Sequence, residues 1–371
     1  MRILWFNWRD IKHPDAGGAE VFTHEIMRRL VQKYHFDMTL FAAQIASGIT
    51  TENIDGVHII RAGTKYTVYD KAKDYYNKRN SNYDFVIDES NTKPFLTPKF
   101  VKDRPILAVF HQLSRESWFY ETPFPLSYVG YYYLEKKWLS YYKDIPTVTV
   151  SNSTKEDLEA YGFKKIFIVP EGLNVTPLSE ARLQQKETKP TIAFIGRLKR
   201  HKLPHHALEA FSLIKKEVPD VQIWVIGDGY MLKELKTRFN VRDVTFYGHV
   251  ENNVKNDLLS KAHLVLVPAV REGWGLVVTD SNAMGTPAVG YNVPGLRDSI
   301  RDGETGILVK ENSPYSLAKS AISLLRDREF LNKLSSNALA FSKQFSWDKS
   351  ANVFAKVIEN IVSEVHNGLK I

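Results

Sequence analysis

The chain has 371 residues, 43% hydrophobic and 25% charged, which is enough for two domains with full cores and is ordinary for a soluble globular protein. No run approaches the roughly 20 apolar residues that span a bilayer, and the lack of cysteine excludes disulfides and thiolate metal sites and fits a reducing compartment. The net charge of +8 favours an anionic partner (nucleic acid, an acidic lipid surface or a phosphorylated substrate), although a lysine-rich solvated surface accounts for the charge equally well.

Met1-Arg2-Ile3-Leu4-Trp5-Phe6 is too short and too soon polar for a secretory signal, and reads as a first strand. Further strands are predicted at 38–42, 57–60, 85–88, 106–110, 147–151 and 166–169. In the second half they fall at 191–195, 222–226, 244–247, 264–267, 288–291 and 307–309. These runs are apolar without strict alternation, as expected of strands buried on both faces of parallel sheets with helical crossovers. Phe22, Ile26, Leu30 and Tyr34 form one helix face, and Ala207, Leu208, Phe211, Ile214 and Val218 another, with Pro204 near its start. Residues 118–143 are dense in aromatics. There Tyr131, Leu134, Trp138 and Tyr142 can share a helix face flanked by Lys136, Lys137 and Lys143, suited either to a lipid interface or to packing on the core. A polar stretch, 176–189, ends in Pro190 and reads as a linker. The fold class is therefore α/β, with two domains in tandem and a ligand cleft beyond the strands' C-terminal ends.

The residues suited to chemistry follow strands. Gly17-Gly18-Ala19-Glu20 comes between the first strand and the first helix, where a turn can approach phosphate, although it is not a dinucleotide fingerprint. His111 ends the 106–110 strand; a lone histidine is more often structural, and no metal-ligand spacing surrounds it. Gly196-Arg197-Leu198 and Lys202 follow the 191–195 strand and offer a guanidinium fork and a mobile ammonium for phosphate oxygens. Glu272-Gly273-Trp274-Gly275-Leu276 opens a helix with a glycine-rich turn, and Asp280 lies about two turns on from Glu272. Either acid alone is more often structural; together with the glycines and the cations they suit a sugar joined to a diphosphate.

Taken in order, Gly17-Gly18-Ala19-Glu20, His111, Val169-Pro170-Glu171-Gly172, Gly196-Arg197-Leu198 with Lys202, Tyr247-Gly248-His249-Val250, Glu272-Gly273-Trp274-Gly275-Leu276, Pro294-Gly295-Leu296 and Asp302-Gly303-Glu304-Thr305-Gly306 resemble the retaining glycosyltransferases of family four, the glycosyl transferases group 1. The resemblance spans almost the whole chain and is most specific in its second half. It implies the GT-B fold: two Rossmann-like domains facing a central cleft. Residues 1–175 would form the acceptor domain, completed by a closing helix over 350–371, and residues 176–349 the nucleotide-sugar donor domain.

The resemblance also implies roles. Arg197 and Lys202 hold the donor diphosphate, beside Gly196. Glu272 contacts the transferred sugar, and the amides of Trp274 and Gly275, between Gly273 and Leu276, bind its hydroxyls. Gly17 and Gly18 approach the donor phosphate, and the backbone near Val250 meets the base. Asp280 stands in place of the second glutamate of a Glu-x7-Glu motif, which grips the ribose, and is one methylene shorter. His111 lies beside the sugar and completes a catalytic set with Glu272, Arg197 and Lys202. Glu171 stands where the family often has asparagine.

The implied activity is retaining transfer of a hexose-type sugar from a UDP- or GDP-linked donor to a glycan or lipid-linked acceptor, without a cofactor. No Asp-x-Asp occurs in the sequence, so metal-independence is expected, the cations serving in place of a bound ion. The basic, aromatic-rich first half suggests a cytoplasmic enzyme that works against an anionic membrane surface. An epimerase or phosphorylase of the same fold, or a nucleotide-sugar-binding protein without catalysis, stays open; a nucleic-acid partner has no recognisable motif to support it.

Overall fold

The computed structural model describes residues 1–183 and 185–368. They fall into two compact units. The first comprises Met1–Arg115, Pro125–Gly172 and the chain from Ser346 onward; the second comprises Glu116–Phe124 and Leu173–Phe345.

The first unit is built on an eight-stranded sheet. Its strands are β1 (Arg2–Phe6), β2 (Asp37–Ala42), β3 (Thr51–Ile54), β4 (Val57–Arg61), β5 (Phe85–Ser90), β6 (Ile106–Phe110), β7 (Thr147–Thr149) and β8 (Ile166–Ile168). They lie in the order β3-β4-β2-β1-β5-β6-β7-β8. Every neighbouring pair is parallel except β3–β4. The central strand β1 is apolar after Arg2, as expected of a strand buried on both faces: Ile3, Leu4, Trp5 and Phe6 are all fully buried. The helix Gly18–Tyr34 turns Phe22, Ile26 and Leu30 into the core, whereas Tyr34 sits at the rim and donates its hydroxyl to Asn352 (3.1 Å).

The closing helix, Trp347–His366, begins three residues before the predicted 350; residues 369–371 of that prediction lie outside the described residues. It packs beside Gly18–Tyr34, with Phe354 stacked on Trp5 at 5.2 Å, and it belongs to the first unit although it comes last in sequence.

The second unit holds β9 (Thr191–Ile195), β10 (Gln222–Ile226), β11 (Val244–Gly248), β12 (Leu264–Val267), β13 (Ala288–Gly290) and β14 (Gly306–Leu308). Their order is β11-β10-β9-β12-β13-β14, and all are parallel. The crossover helix Pro204–Glu217 buries Ala207, Leu208, Phe211 and Ile214, and Val218 falls just past its end. The expected linker has only the short turn Glu180–Arg182 among the described residues and is stitched to the second unit: Leu178 N–H donates to Ala283 O, and Lys186 Nζ to Thr286 Oγ1. Gln184, within that stretch, lies outside the described residues.

Three features depart from the sequence reading. The antiparallel strand β3, Thr-Glu-Asn-Ile, was not predicted, because its side chains alternate between exposed and half-buried and offer no apolar run. The aromatic stretch forms a helix from Leu126 to Leu139 with a wider π-turn at Gly130–Leu134. It ends before Tyr142, so Tyr142 does not share its face; it sits fully buried, its hydroxyl bonded to Asp88. The unit boundaries fall at 172/173 and 345/346 rather than 175/176 and 349/350, and residues 116–124, expected in the first domain, pack with the second.

Candidate active site

In the second unit, Gly196 and Arg197 leave the C-terminal end of β9, and a short turn, Arg200–Lys202, follows. Lys202 Nζ forms an ion pair with Glu272 Oε1, both side chains being only partly exposed. Arg197 is half-buried and has no carboxylate partner among the described residues. One cation is thus held by an acid, while a second, on the same loop after β9, has no carboxylate partner among the described residues. A ligand carrying both a diphosphate and hydroxyls can use all three groups: phosphate oxygens on Arg197 and Lys202, hydroxyls on Glu272.

Glu272 and Gly273 precede a short helix, Leu276–Ala283, whose N-cap is Gly275. Gly275 has φ +90°, a left-handed conformation that glycine adopts without strain. The loop is held from behind, since Glu272 N–H donates to Pro294 O at 3.1 Å. A Cβ on Gly295 would lie 2.3 Å from Glu272 O, so only glycine lets that backbone approach. Trp274 is buried and meets Phe345 edge-on at 5.2 Å; its indole serves packing. Leu276 is the first helical residue and is half-buried.

Asp280 lies only about one turn inside the helix, because the helix starts at Leu276. It is 5% exposed. One carboxylate oxygen, Oδ2, takes Lys255 Nζ at 2.9 Å, and the other, Oδ1, is buried without a hydrogen-bond partner among the described residues. Lys255 was missed from sequence: it lies on the helix Asn252–Lys261 that follows Val250, 25 positions from its partner, with no motif to mark it. Val250 itself is half-buried in the loop after β11.

In the first unit, Gly17 caps the helix Gly18–Tyr34, and its N–H donates to Glu20 Oε2 at 2.6 Å. Gly18 is exposed at the helix start. Glu20 is buried against Arg9 (2.9 Å); burial raises its pKa, Arg9 opposes that, and Glu89 adds to it. His111 follows β6 and is buried between two acids. Its Nε2 meets Glu89 Oε1 at 3.0 Å, and its Nδ1 faces Glu171 Oε1 at 3.8 Å. Burial works against the charged imidazolium, but Glu171 and Glu89 outweigh it and raise His111 to about 10. The ring is therefore a held positive charge at neutral pH and is not available as a base. Glu89 in turn accepts from Trp5 Nε1 (2.7 Å) and Thr23 Oγ1 (2.5 Å). Glu89 lies one residue before the end of β5, near the edge where doubly wound sheets present ligands, and that signal in the sequence was readable.

Residues 176–341 match the family model described as glycosyl transferases group 1. The chain is 28% identical over 223 residues to a D-inositol 3-phosphate glycosyltransferase of Thermobispora bispora, covering 55% of this chain and 52% of that protein. It spans about half the length of the curated relatives it matches. Among solved structures it is similar to sucrose-phosphate synthase of Thermosynechococcus elongatus, with TM-score 0.80 and 17% identity over 98% of this chain and 99% of that one. It is also similar to Anabaena HepE, solved with UDP-glucose, with TM-score 0.74 and 17% identity over 98% and 100%. At such identities the likeness shows the fold, and the expected GT-B class holds.

Proposed function

We propose that this chain, whose residues 176–341 belong to the glycosyl transferases group 1 family and whose fold is GT-B, transfers a hexose-type sugar from a nucleoside diphosphate donor to a glycan or lipid-linked acceptor with retention of configuration. The observation that carries the reading is the Lys202–Glu272 pair on the loops that follow β9 and β12, with Arg197, which has no carboxylate partner among the described residues, on the same loop as Lys202. As the glycosidic bond breaks, positive charge grows on the sugar and negative charge on the leaving diphosphate. Arg197 and Lys202 stabilise the second, and the donor displaces Lys202 from Glu272, which then turns to a sugar hydroxyl. The acceptor attacks from the face the diphosphate leaves. With two cations at the leaving group, the reaction needs no divalent metal.

A UDP-linked donor is the first to test, since a protein of the same fold, HepE, is solved with UDP-glucose. A panel of UDP- and GDP-sugars screened for thermal stabilisation and then turnover should give one that raises Tm and is consumed only when acceptor is present. Consumption without acceptor, or with phosphate alone, points instead to an epimerase or phosphorylase. Turnover should survive excess EDTA; loss on chelation with recovery on Mg²⁺ or Mn²⁺ removes the two-cation mechanism. A lipid-linked acceptor is supported by the helix Leu126–Leu139, which exposes Leu126, Tyr128, Val129, Tyr132 and Tyr133 beside Lys136 and Lys137.

A further inference from the structure

The segment Glu116–Phe124 lies, in sequence, between two stretches of the first unit, yet it packs with the second. Its short helix, Ser117–Glu121, rests on the Arg200–Lys202 turn. Glu121 Oε1 accepts from His201 N–H (3.1 Å), lies 2.7 Å from His201 Nδ1, and accepts from the Tyr230 hydroxyl at 2.9 Å. The Tyr230 oxygen in turn accepts from Arg200 N–H at 2.8 Å. Two consecutive backbone amides of the turn are thus tied, directly or through Tyr230, to one carboxylate. The same turn reaches the opposite loop: His201 O accepts from Val270 N–H at 2.9 Å. There Arg271, which is buried, meets Glu116 Oε2 at 3.2 Å.

We infer that Glu121 is a positioning residue for the donor site: through His201 it fixes the turn that carries Lys202 and steadies the loop that carries Glu272, and Glu116 reinforces that loop through Arg271. The inference rests on the reading of Lys202 and Glu272 as donor contacts. Lysine is a flexible four-carbon stem, so its reach toward phosphate is set by how firmly its backbone is held. Glu121 ties that backbone at more than one point, since its oxygens accept from His201 N–H and the Tyr230 hydroxyl and lie 2.7 Å from His201 Nδ1. Although burial works against its charge, His201 and Tyr230 hold its pKa down to about 2, so the anchor stays ionised at neutral pH.

The test uses Glu121→Ala, Glu121→Gln and Lys202→Ala in the full chain, with UDP and GDP affinity by calorimetry, donor and acceptor KM, and Tm. Glu121→Ala should weaken nucleoside diphosphate binding and raise donor KM roughly tenfold, the loss expected for a misplaced charge-assisted bond, with acceptor KM unchanged. Glu121→Gln keeps an acceptor oxygen for His201 N–H and Tyr230 and should recover most of that loss. In a Lys202→Ala background, Glu121→Ala should cost no further nucleoside diphosphate affinity, because its effect on the diphosphate acts through that lysine. If Glu121→Ala loses Tm, the glutamine variant and Glu116→Ala carry the same comparison. Unchanged nucleotide affinity in Glu121→Ala, or an undiminished loss in the Lys202→Ala background, overturns the inference alone. A wild-type chain that binds neither UDP nor GDP, or binds them equally well as Lys202→Ala, overturns the donor-site reading itself.

Discussion

Each unit places an acid against a cation near the C-terminal ends of its strands, but the two arrangements differ in what can happen to them. In the first unit the His111 imidazolium is enclosed by Glu89 and Glu171, and Glu89 is further bound by Trp5 and Thr23. Glu89 is fully buried, and no part of that set can leave without stranding a charge. In the second unit the Lys202–Glu272 pair remains partly exposed, one of its members is a long flexible side chain, and Arg197, on the same loop as Lys202, has no carboxylate partner among the described residues. The first is a lock and the second a resting contact that a ligand can take over. A charge pair's role is thus set by how many further bonds hold each member and by whether solvent or ligand can replace the partner.

The largest effect that separates the two is on stability. Glu89→Ala leaves a buried imidazolium with one acid fewer and should cost about 3–5 kcal/mol, read by denaturant unfolding. The pH dependence has a definite sign. His111 binds its proton more tightly folded than unfolded, its pKa rising from an ordinary 6.5 to about 10. Its contribution is therefore full below about 6.5 and is lost as pH rises through about 10. The stability difference between wild type and His111→Gln should shrink across that window. A difference that grows with pH breaks the description of His111 as a held cation.

An intermediate effect is expected at the second pair, and it should appear in binding. Lys202→Ala should weaken nucleoside diphosphate affinity by about 1.5–3 kcal/mol, the range for a hydrogen bond to a charged group. Glu272→Ala should leave that affinity unchanged or higher, since it releases Lys202, while transfer is abolished for want of the sugar contact. Calorimetry with UDP or GDP, alongside turnover, separates the two. Equal losses of nucleotide affinity in both variants show that the pair is a lock like the first.

Much of this frame was legible because buried parallel strands write themselves as unbroken apolar runs, as in β1, β9 and β12. What escaped was set by tertiary context. β3 is an exposed antiparallel edge without an apolar face, and the π-turn at Gly130–Leu134 shifts side chains in a way no 3.6-residue period reveals. In the site, loop glycines and cations after strands were readable as local patterns. The partners of those residues were not: Glu171, Lys255 and Glu121 come from 60, 25 and 80 positions away from His111, Asp280 and His201, and periodicity carries no information over such spans.

The smallest effect concerns the pair that lies between lock and resting contact. Asp280 is as buried as the first set, yet only one of its oxygens is committed, to Lys255. The resemblance expects glutamate here, and the shorter acid is met by a lysine whose long stem closes the gap. Asp280→Glu adds one methylene, which Lys255 can absorb by withdrawing toward solvent, because its side chain keeps some exposure. Nucleotide affinity should then change by less than about 1.5 kcal/mol, the range for changes that do not overpack a site, because the lysine takes up the added methylene. Lys255→Met is the sharper counterpart. It keeps the stem but removes the ammonium, leaving a buried carboxylate unpaired, and should lower Tm as well as affinity. If Asp280→Glu proves the more damaging of the two, the Asp280–Lys255 pair is a fitted lock, and the aspartate is then required by this chain's own geometry, with no glutamate able to replace it.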